Sequence, residues 1–354
     1  MGMTSRERIL AAIRHQPVDR IPTDYWATPE VTEKLVVQLG CASTVELFDR
    51  LGIDGIPGIA PPYIGPSVGD LGDSDWNALQ AWGMRFKRQV YDGGVYIEQV
   101  VYPLAEAETI EDLEAFAWPD PDWWDYAALP RLCAQYQDRA VQVGYTAVFY
   151  YHNMLRGLEL SLMDPLLRPE FTEVLVRKIS DFFTEYHRRC FEAGRGAIDV
   201  TQVTDDWGAQ KGLLTSPRVF QRFYRKAMQR AIDLAKSYGI LVFHHDDGDM
   251  RPLLPALTEM GIDILNPIQW RCGDWDLAAL KAEFGGQICF HGGVDNQETL
   301  PHGSPDDVRA EVRRLLSTLG SDGTGFILAP CHNLQPITPV ENILALYDET
   351  QRAG

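Results

Sequence analysis

The chain lacks an excess of basic residues, a long uncharged apolar run, a glycine-rich phosphate loop and a cysteine framework. Each shortage removes a class of function. Only 32 Lys and Arg stand against 50 Asp and Glu, a formal net charge of −18 over 354 residues. Such a surface repels nucleic-acid phosphates and anionic lipid, so no nucleic acid and no membrane is expected as a partner. No uncharged stretch approaches the roughly 18–20 apolar residues of a membrane span. The cysteines, Cys41, Cys133, Cys190, Cys272, Cys289 and Cys331, form no CxxC pair and no disulfide-scaffold spacing. The opening MGMTSRERILAAIRHQPVDR reads as a charged amphipathic helix and not as a signal peptide. A reducing cytoplasm is the compartment these features predict.

What is present is an ordinary globular composition, 45% hydrophobic and 23% charged, in a chain long enough to bury a large core. Eight short apolar runs read as strands: 20–25, 53–59, 140–145, 197–203, 240–245, 262–266, 287–291 and 325–329. Several are apolar throughout, as expected of strands covered on both faces. Helical periodicity separates them, clearest at 216–238, 305–319 and 339–352, which open on Ser216, Ser304 and Thr338 as caps. The rhythm breaks at 61–138, where 90–102 reads as a β-hairpin around Asp92-Gly93-Gly94 and 117–125 is a loop rich in Trp, Pro and Asp. The expected fold is one α/β domain spanning 1–354, a (β/α)8 TIM barrel with an N-terminal helical segment and an inserted hairpin and loop over the barrel mouth. A doubly wound open sheet is the alternative. It would bring a glycine-rich loop after its first strand, whereas 20–25 runs into Trp26-Ala27-Thr28-Pro29.

In a barrel of this kind functional groups gather where strands end and loops begin. Polar residues stand at five such points, and the densest group is Phe243-His244-His245-Asp246-Asp247-Gly248. His245 and Asp247 are two apart and point the same way on an extended segment. Together with His332 they would offer two imidazoles and a carboxylate to a divalent metal, leaving positions open for water or substrate. A polar loop in which His245 and Asp247 only bond each other is the plainer account. His244 is expected in the wall. Cys331, beside His332, is either a thiolate ligand or a small buried apolar residue. Asp205 and Asp206 form either a carboxylate pair for acid–base work or a helix cap, and Asp295 faces the same choice. Trp26, Asp206, Asn266, Gln269 and Gln335 are candidates for substrate binding, with Asp205 and Asp295 the catalytic candidates.

At these residues the chain resembles the uroporphyrinogen decarboxylase superfamily, and its methyltransferase-like branch more than the haem-pathway decarboxylase. The likeness runs through RERILAAIRHQPVDRIPT (6–23), PLAEAETIEDLEAFAWP (103–119), DDWGAQKGLLTSP (205–217), HHDDGDMRPLLPALTEMGIDILNPIQ, HGGVDNQETL and ILAPCHNLQPITPVENI. The resemblance implies a (β/α)8 barrel. In the methyltransferase-like branch it also implies zinc held by a His-x-Cys pair after the fifth strand and a Cys after the eighth. Those positions fall on His245, Asp247 and His332, so two thiolates are replaced by harder ligands. Zinc is the metal expected first, with iron, nickel and manganese as alternatives, and a corrinoid carried by a partner protein is the implied co-substrate. The haem-pathway enzyme is known for an arginine-bearing loop that clamps carboxylates, and the matching stretch here, IPTDYWATP, has no arginine.

The function expected is metal-dependent methyl transfer or demethylation on a small methylated substrate or methyl carrier. A metal-independent decarboxylase of uroporphyrinogen or a related acid is the first alternative. A non-catalytic tetrapyrrole- or corrinoid-binding protein is the second. A homodimer is expected from the haem-pathway relatives.

Overall fold

A computed structural model of the chain describes residues 2–69, 78–91 and 94–353. Its strands are β1 (Gly58–Ile59), β2 (Arg85–Tyr91), β3 (Gly94–Val101), β4 (Gln142–Thr146), β5 (Val200–Val203), β6 (Gly208–Ala209), β7 (Gly212–Leu213), β8 (Leu241–His245), β9 (Ile264–Asn266), β10 (Cys289–Val294) and β11 (Phe326–Pro330). Seven of them form one curved sheet in chain order, β1-β4-β5-β8-β9-β10-β11, and every ladder in it is parallel. Parallel neighbours need crossovers, which the intervening helices supply. The result is an α/β half-barrel. Residues 20–25 lie beside both ends of this row. Thr23 bridges Leu328 in parallel, and its carbonyl accepts from the backbone N–H groups of Asp54 and Gly55 at 3.1 and 3.0 Å.

Strand alternation sorts the side chains into two cores. Val242, Leu265, Phe290 and Leu328 join the large core beneath the helices. Their neighbours Phe243, Ile264, Cys289 and Ile327 point the other way, into a smaller core with Val200. The helix Ser5–Ile13 fills that core with Ile9, Leu10, Ala12 and Ile13, and so stoppers one end of the sheet. Thr4 and Glu7 form its capping box. Arg8 holds the helix in place: it pairs with Asp19 at 2.6 Å and with the fully buried Asp54, which also binds Arg20 at 2.8 Å. Removing one partner would leave a buried charge uncompensated.

The insertion behaves differently from the expectation. β2 and β3 pair antiparallel from Arg85↔Val101 to Tyr91↔Gly94, and the turn residues 92–93 lie outside the described residues. The hairpin is tied to the helix Val148–Arg156, where Gln99 Nε2 donates to the Met154 carbonyl at 2.7 Å. The Trp-rich loop, expected over the mouth, instead clads the long helix Pro169–Ala193. Trp124 meets Phe182 and Tyr186 with ring centroids 5.5 Å apart in each pair. Large aromatic surfaces bury more area against that helix than they could at a water-filled opening. The helix expected over 216–238 is interrupted by a π-helical stretch at Phe220–Tyr224, where Phe220 and Tyr224 pack on Trp207.

His187, on the long helix, is fully buried against β4, with Thr146 Oγ1 3.2 Å from its Nδ1. Burial pushes its pKa down from 6.5 to about 3. The unfolded chain therefore takes up a proton near pH 6.5 that the folded chain refuses until about pH 3. Stability from this residue is fully present above the unfolded value and is lost as the pH falls, by up to ~1.4 kcal/mol per pH unit. In His187→Gln, urea midpoints should fall less steeply than in the parent chain as the pH drops from about 6.5 to about 4. Equal slopes in the two proteins would show that His187 does not resist protonation.

Candidate metal centre

The strand face that carries Phe243, Ile264 and Cys289 continues two residues later with His245, Asn266 and His291. The apolar layer is thus followed by a polar one at the C-terminal ends of β8, β9 and β10. Above it, His245, Asp247 and His332 each present an atom able to bind metal, all within 4.8 Å of one another. Asp247 Oδ2 lies 3.8 Å from His245 Nε2 and 3.5 Å from His332 Nε2. Trp26 forms the floor, its ring centroid 5.5 Å from that of His245, 6.2 Å from His332 and 5.9 Å from His291.

The loop bearing Asp247 is fixed from three sides. Asp246 Oδ1 accepts from the backbone N–H groups of Trp207 and Gly208 at 2.8 and 2.9 Å. Gln269 Oε1 accepts from Gly248 N at 2.7 Å, and Asp249 N donates to the Ala209 carbonyl. The two backbones touch: a Cβ on Gly208 would stand 2.0 Å from the Asp247 carbonyl oxygen. A cavity of about 440 Å³ opens here, lined by Gly208, Gln210, Asp247, Gln269, Gln297 and His332 among others. No Lys or Arg lines it among the described residues.

The electrostatics favour a cation. Asp206 Oδ1 sits 3.9 Å from His245 Nε2. Both Asp206 Oδ1 and Asp247 Oδ1 are buried without a hydrogen-bond partner. Burial raises the Asp206 carboxyl above its usual range, and the neighbouring Asp247 charge adds to this. Burial alone would lower the His245 pKa, but the carboxylates of Asp247 and Asp206 outweigh it and the net direction is up. Burial dominates at His332, which is lowered. Unpartnered carboxylate oxygens beside two imidazoles suit a divalent ion of borderline hardness. His245 is ready for it: Asn266 Oδ1, 2.6 Å away, accepts from Nδ1–H, so the neutral ring keeps its lone pair on Nε2. His332 is not, because its Nδ1 accepts from Asn333 N at 2.8 Å, which puts the ring proton on Nε2. Its ring must turn out of that bond before it can ligate through either nitrogen.

The other sequence-derived candidates fall in distinct places. Asp205 is buried, and its Oδ1 accepts from Tyr150 N at 2.8 Å, anchoring the first turn of Val148–Arg156, while Oδ2 has no partner. Asp295 caps the turn after β10, accepting from Gln297, Glu298 and Thr299, and pairs with Arg271 at 2.7 Å. Asn266 is fully buried with both amide ends engaged, so it offers no free group to a substrate. Gln269 lines the cavity while holding Gly248. Gln335 is exposed outside the cavity lining. His244 is in the wall, as expected, donating Nδ1–H to the Val203 carbonyl at 2.8 Å. Cys331 turns its thiol to the Ile268 carbonyl, and burial keeps it protonated. Sequence reasoning passed over His291 and Asp24. His291 carried one signal, its place two residues beyond Cys289 on an inward face. Gly208→Ala should destabilise the protein by about 1–3 kcal/mol through overpacking, measured by urea unfolding; an unchanged midpoint would mean the two loops are not pressed together.

Comparison with known proteins gives one family and one architecture. The profile of the family described as uroporphyrinogen decarboxylase (URO-D) matches residues 78–353. Uroporphyrinogen decarboxylase of Pseudomonas fluorescens (strain SBW25) is 24% identical over 264 residues, 69% of each chain. That of Chlorobium phaeobacteroides is 26% identical over 183 residues, 51% of this chain and 48% of its own. The chain thus spans about half the length of the first curated relatives it matches. Among solved structures, a methyltransferase from Methanosarcina mazei superposes with a TM-score of 0.70 at 21% identity, over 99% of both chains.

Proposed function

From the premise that this chain belongs to the uroporphyrinogen decarboxylase family, we propose that it is a metal-dependent enzyme acting on a small methylated substrate or methyl carrier. We read its sheet as a closed (β/α)8 barrel, with residues 20–25 as the strand that joins β11 to the segment before β1. The observation that carries the functional reading is the meeting of His245, Asp247 and His332 within 4.8 Å beside buried, unpartnered carboxylate oxygens. These three residues would hold the ion, zinc first and iron, nickel or manganese as alternatives. When bound, a divalent cation supplies a Lewis acid that polarises the substrate and stabilises charge developing on it.

The protein's own groups do the rest. Trp26 excludes water from beneath the two imidazoles. Asp206, beside His245 Nε2 and raised by burial, is placed to hold or accept a proton at the cavity edge. Gln269 keeps the Asp247 loop in position. The Methanosarcina neighbour supports the architecture, and a corrinoid protein is the macromolecular partner this reading expects.

The relatives named as decarboxylases suggest the rival reaction. A polyanionic porphyrinogen would meet Asp247 and no Lys or Arg in the cavity lining, and unpaired carboxylates entering such a site carry a large desolvation cost. Protein purified without added metal should contain about one divalent ion per chain, against background in His245→Ala. Methyl transfer from a methylated corrinoid should fall with metal content. Metal-free protein that releases carbon dioxide from uroporphyrinogen in the presence of a chelator would overturn the proposal.

A further inference from the structure

Below the three candidate ligands a chain of hydrogen bonds crosses the inside of the sheet. His245 Nδ1 lies 2.6 Å from Asn266 Oδ1, Asn266 Nδ2 lies 2.7 Å from His291 Nδ1, and His291 Nε2 lies 2.9 Å from Asp24 Oδ2. Asn266 and His291 are fully buried, and Asp24 is 2% exposed. Three different strands and the 20–25 segment contribute one member each.

The direction of every bond in this chain is decided at one end. Asp24 already accepts from Ile56 N at 3.0 Å through Oδ1 and from Trp26 Nε1 at 3.1 Å through Oδ2. A carboxylate surrounded by donors can only accept, so His291 must present Nε2–H to it. A neutral His291 then has its lone pair on Nδ1, which requires the NH₂ end of Asn266. The amide oxygen of Asn266 is left facing His245, which must place its proton on Nδ1. The lone pair of His245 therefore emerges at Nε2, the atom that faces Asp247 and the cavity.

We propose that Asp24, acting through His291 and Asn266, is a positioning residue that fixes the tautomer of His245 and makes its Nε2 a standing donor for a cation. The proposal rests on the metal-site reading for its purpose, but the tautomer itself does not depend on any ion. It concerns where one proton sits and not how many are bound. Such outer partners commonly change metal affinity by 10–100-fold.

Asp24→Asn is the test, because it keeps the shape and supplies a donor. With its oxygen kept for Ile56 N–H, the new NH₂ faces His291 Nε2, the bond from Trp26 Nε1 to that position is given up, and each link of the chain turns round. His245 should then carry its proton on Nε2. The first measurement is the ¹⁵N spectrum of the metal-free protein, labelled in its histidine rings and held at an alkaline pH where those rings are neutral. In the parent chain His245 should show a protonated Nδ1 and a bare Nε2, and in Asp24→Asn the reverse. The second is titration with zinc, where the variant should bind 10–100-fold more weakly. A parent spectrum with the proton on His245 Nε2 would overturn the inference even if the variant failed to fold, and so would a folded variant with an unchanged tautomer. Tautomers that respond as expected in a protein that takes up no zinc, iron, nickel or manganese would uphold the relay and sink the proposed function instead.

Discussion

A strand shows every second side chain to the same side, and in a parallel sheet wound this tightly that alternation governs what can stand inside. Phe243, Ile264, Cys289 and Ile327 occupy the inner face at one level, and the next level up must be filled by the residues two positions later. Three of those are His245, Asn266 and His291. Because the level below is packed with apolar atoms and the helix Ser5–Ile13, these polar groups have little to bond except one another. Their mutual hydrogen bonding follows from the geometry of the sheet. Of the three candidate ligands, His245 inherits its orientation from it.

Acidic residues serve two purposes here, separated by what they touch. Asp205, Asp246 and Asp295 accept from backbone N–H groups and fix loop ends. Asp206 stands beside His245 and Asp247 lines the cavity, and neither spends its unpartnered Oδ1 on a backbone N–H, although Asp205 and Asp246 also keep one oxygen without a partner. Burial raises the carboxyls of Asp205 and Asp246 well above their normal range, so this corner resists carrying its full negative charge. On the proposed reading a cation would relieve that repulsion at Asp206 and Asp247.

Much of this was legible in the sequence, for physical reasons that differ by element. Seven of the eight apolar runs hold strands of the sheet and were readable because strands covered on both faces tolerate few polar residues, whereas 20–25 contributes a single bridge at Thr23. His245 and Asp247 were readable because a spacing of two on an extended segment sends both side chains one way. Asp24 was not, since its role depends on partners 32 and 267 residues distant. Asp205 carries the same lesson: the helix turn it anchors lies 55 residues before it, whereas its local context suggested a cap for a helix on its C-terminal side. The Trp-rich loop was misplaced because composition reveals how much apolar area must be covered but not by what. The bond from Asn333 to His332 likewise depends on a local loop conformation that no spacing rule anticipates.

The stopper formed by Ser5–Ile13 has a consequence for traffic. With Arg8 and Asp54 locking that helix into the sheet's far end, nothing is expected to pass through the molecule from one side to the other. On the proposed reading, donor, acceptor and departing product would all use the cavity mouth beside His332. Arrivals and departures there have to take turns, and a bulky protein partner docking at the threshold would hold whatever is already inside until it left.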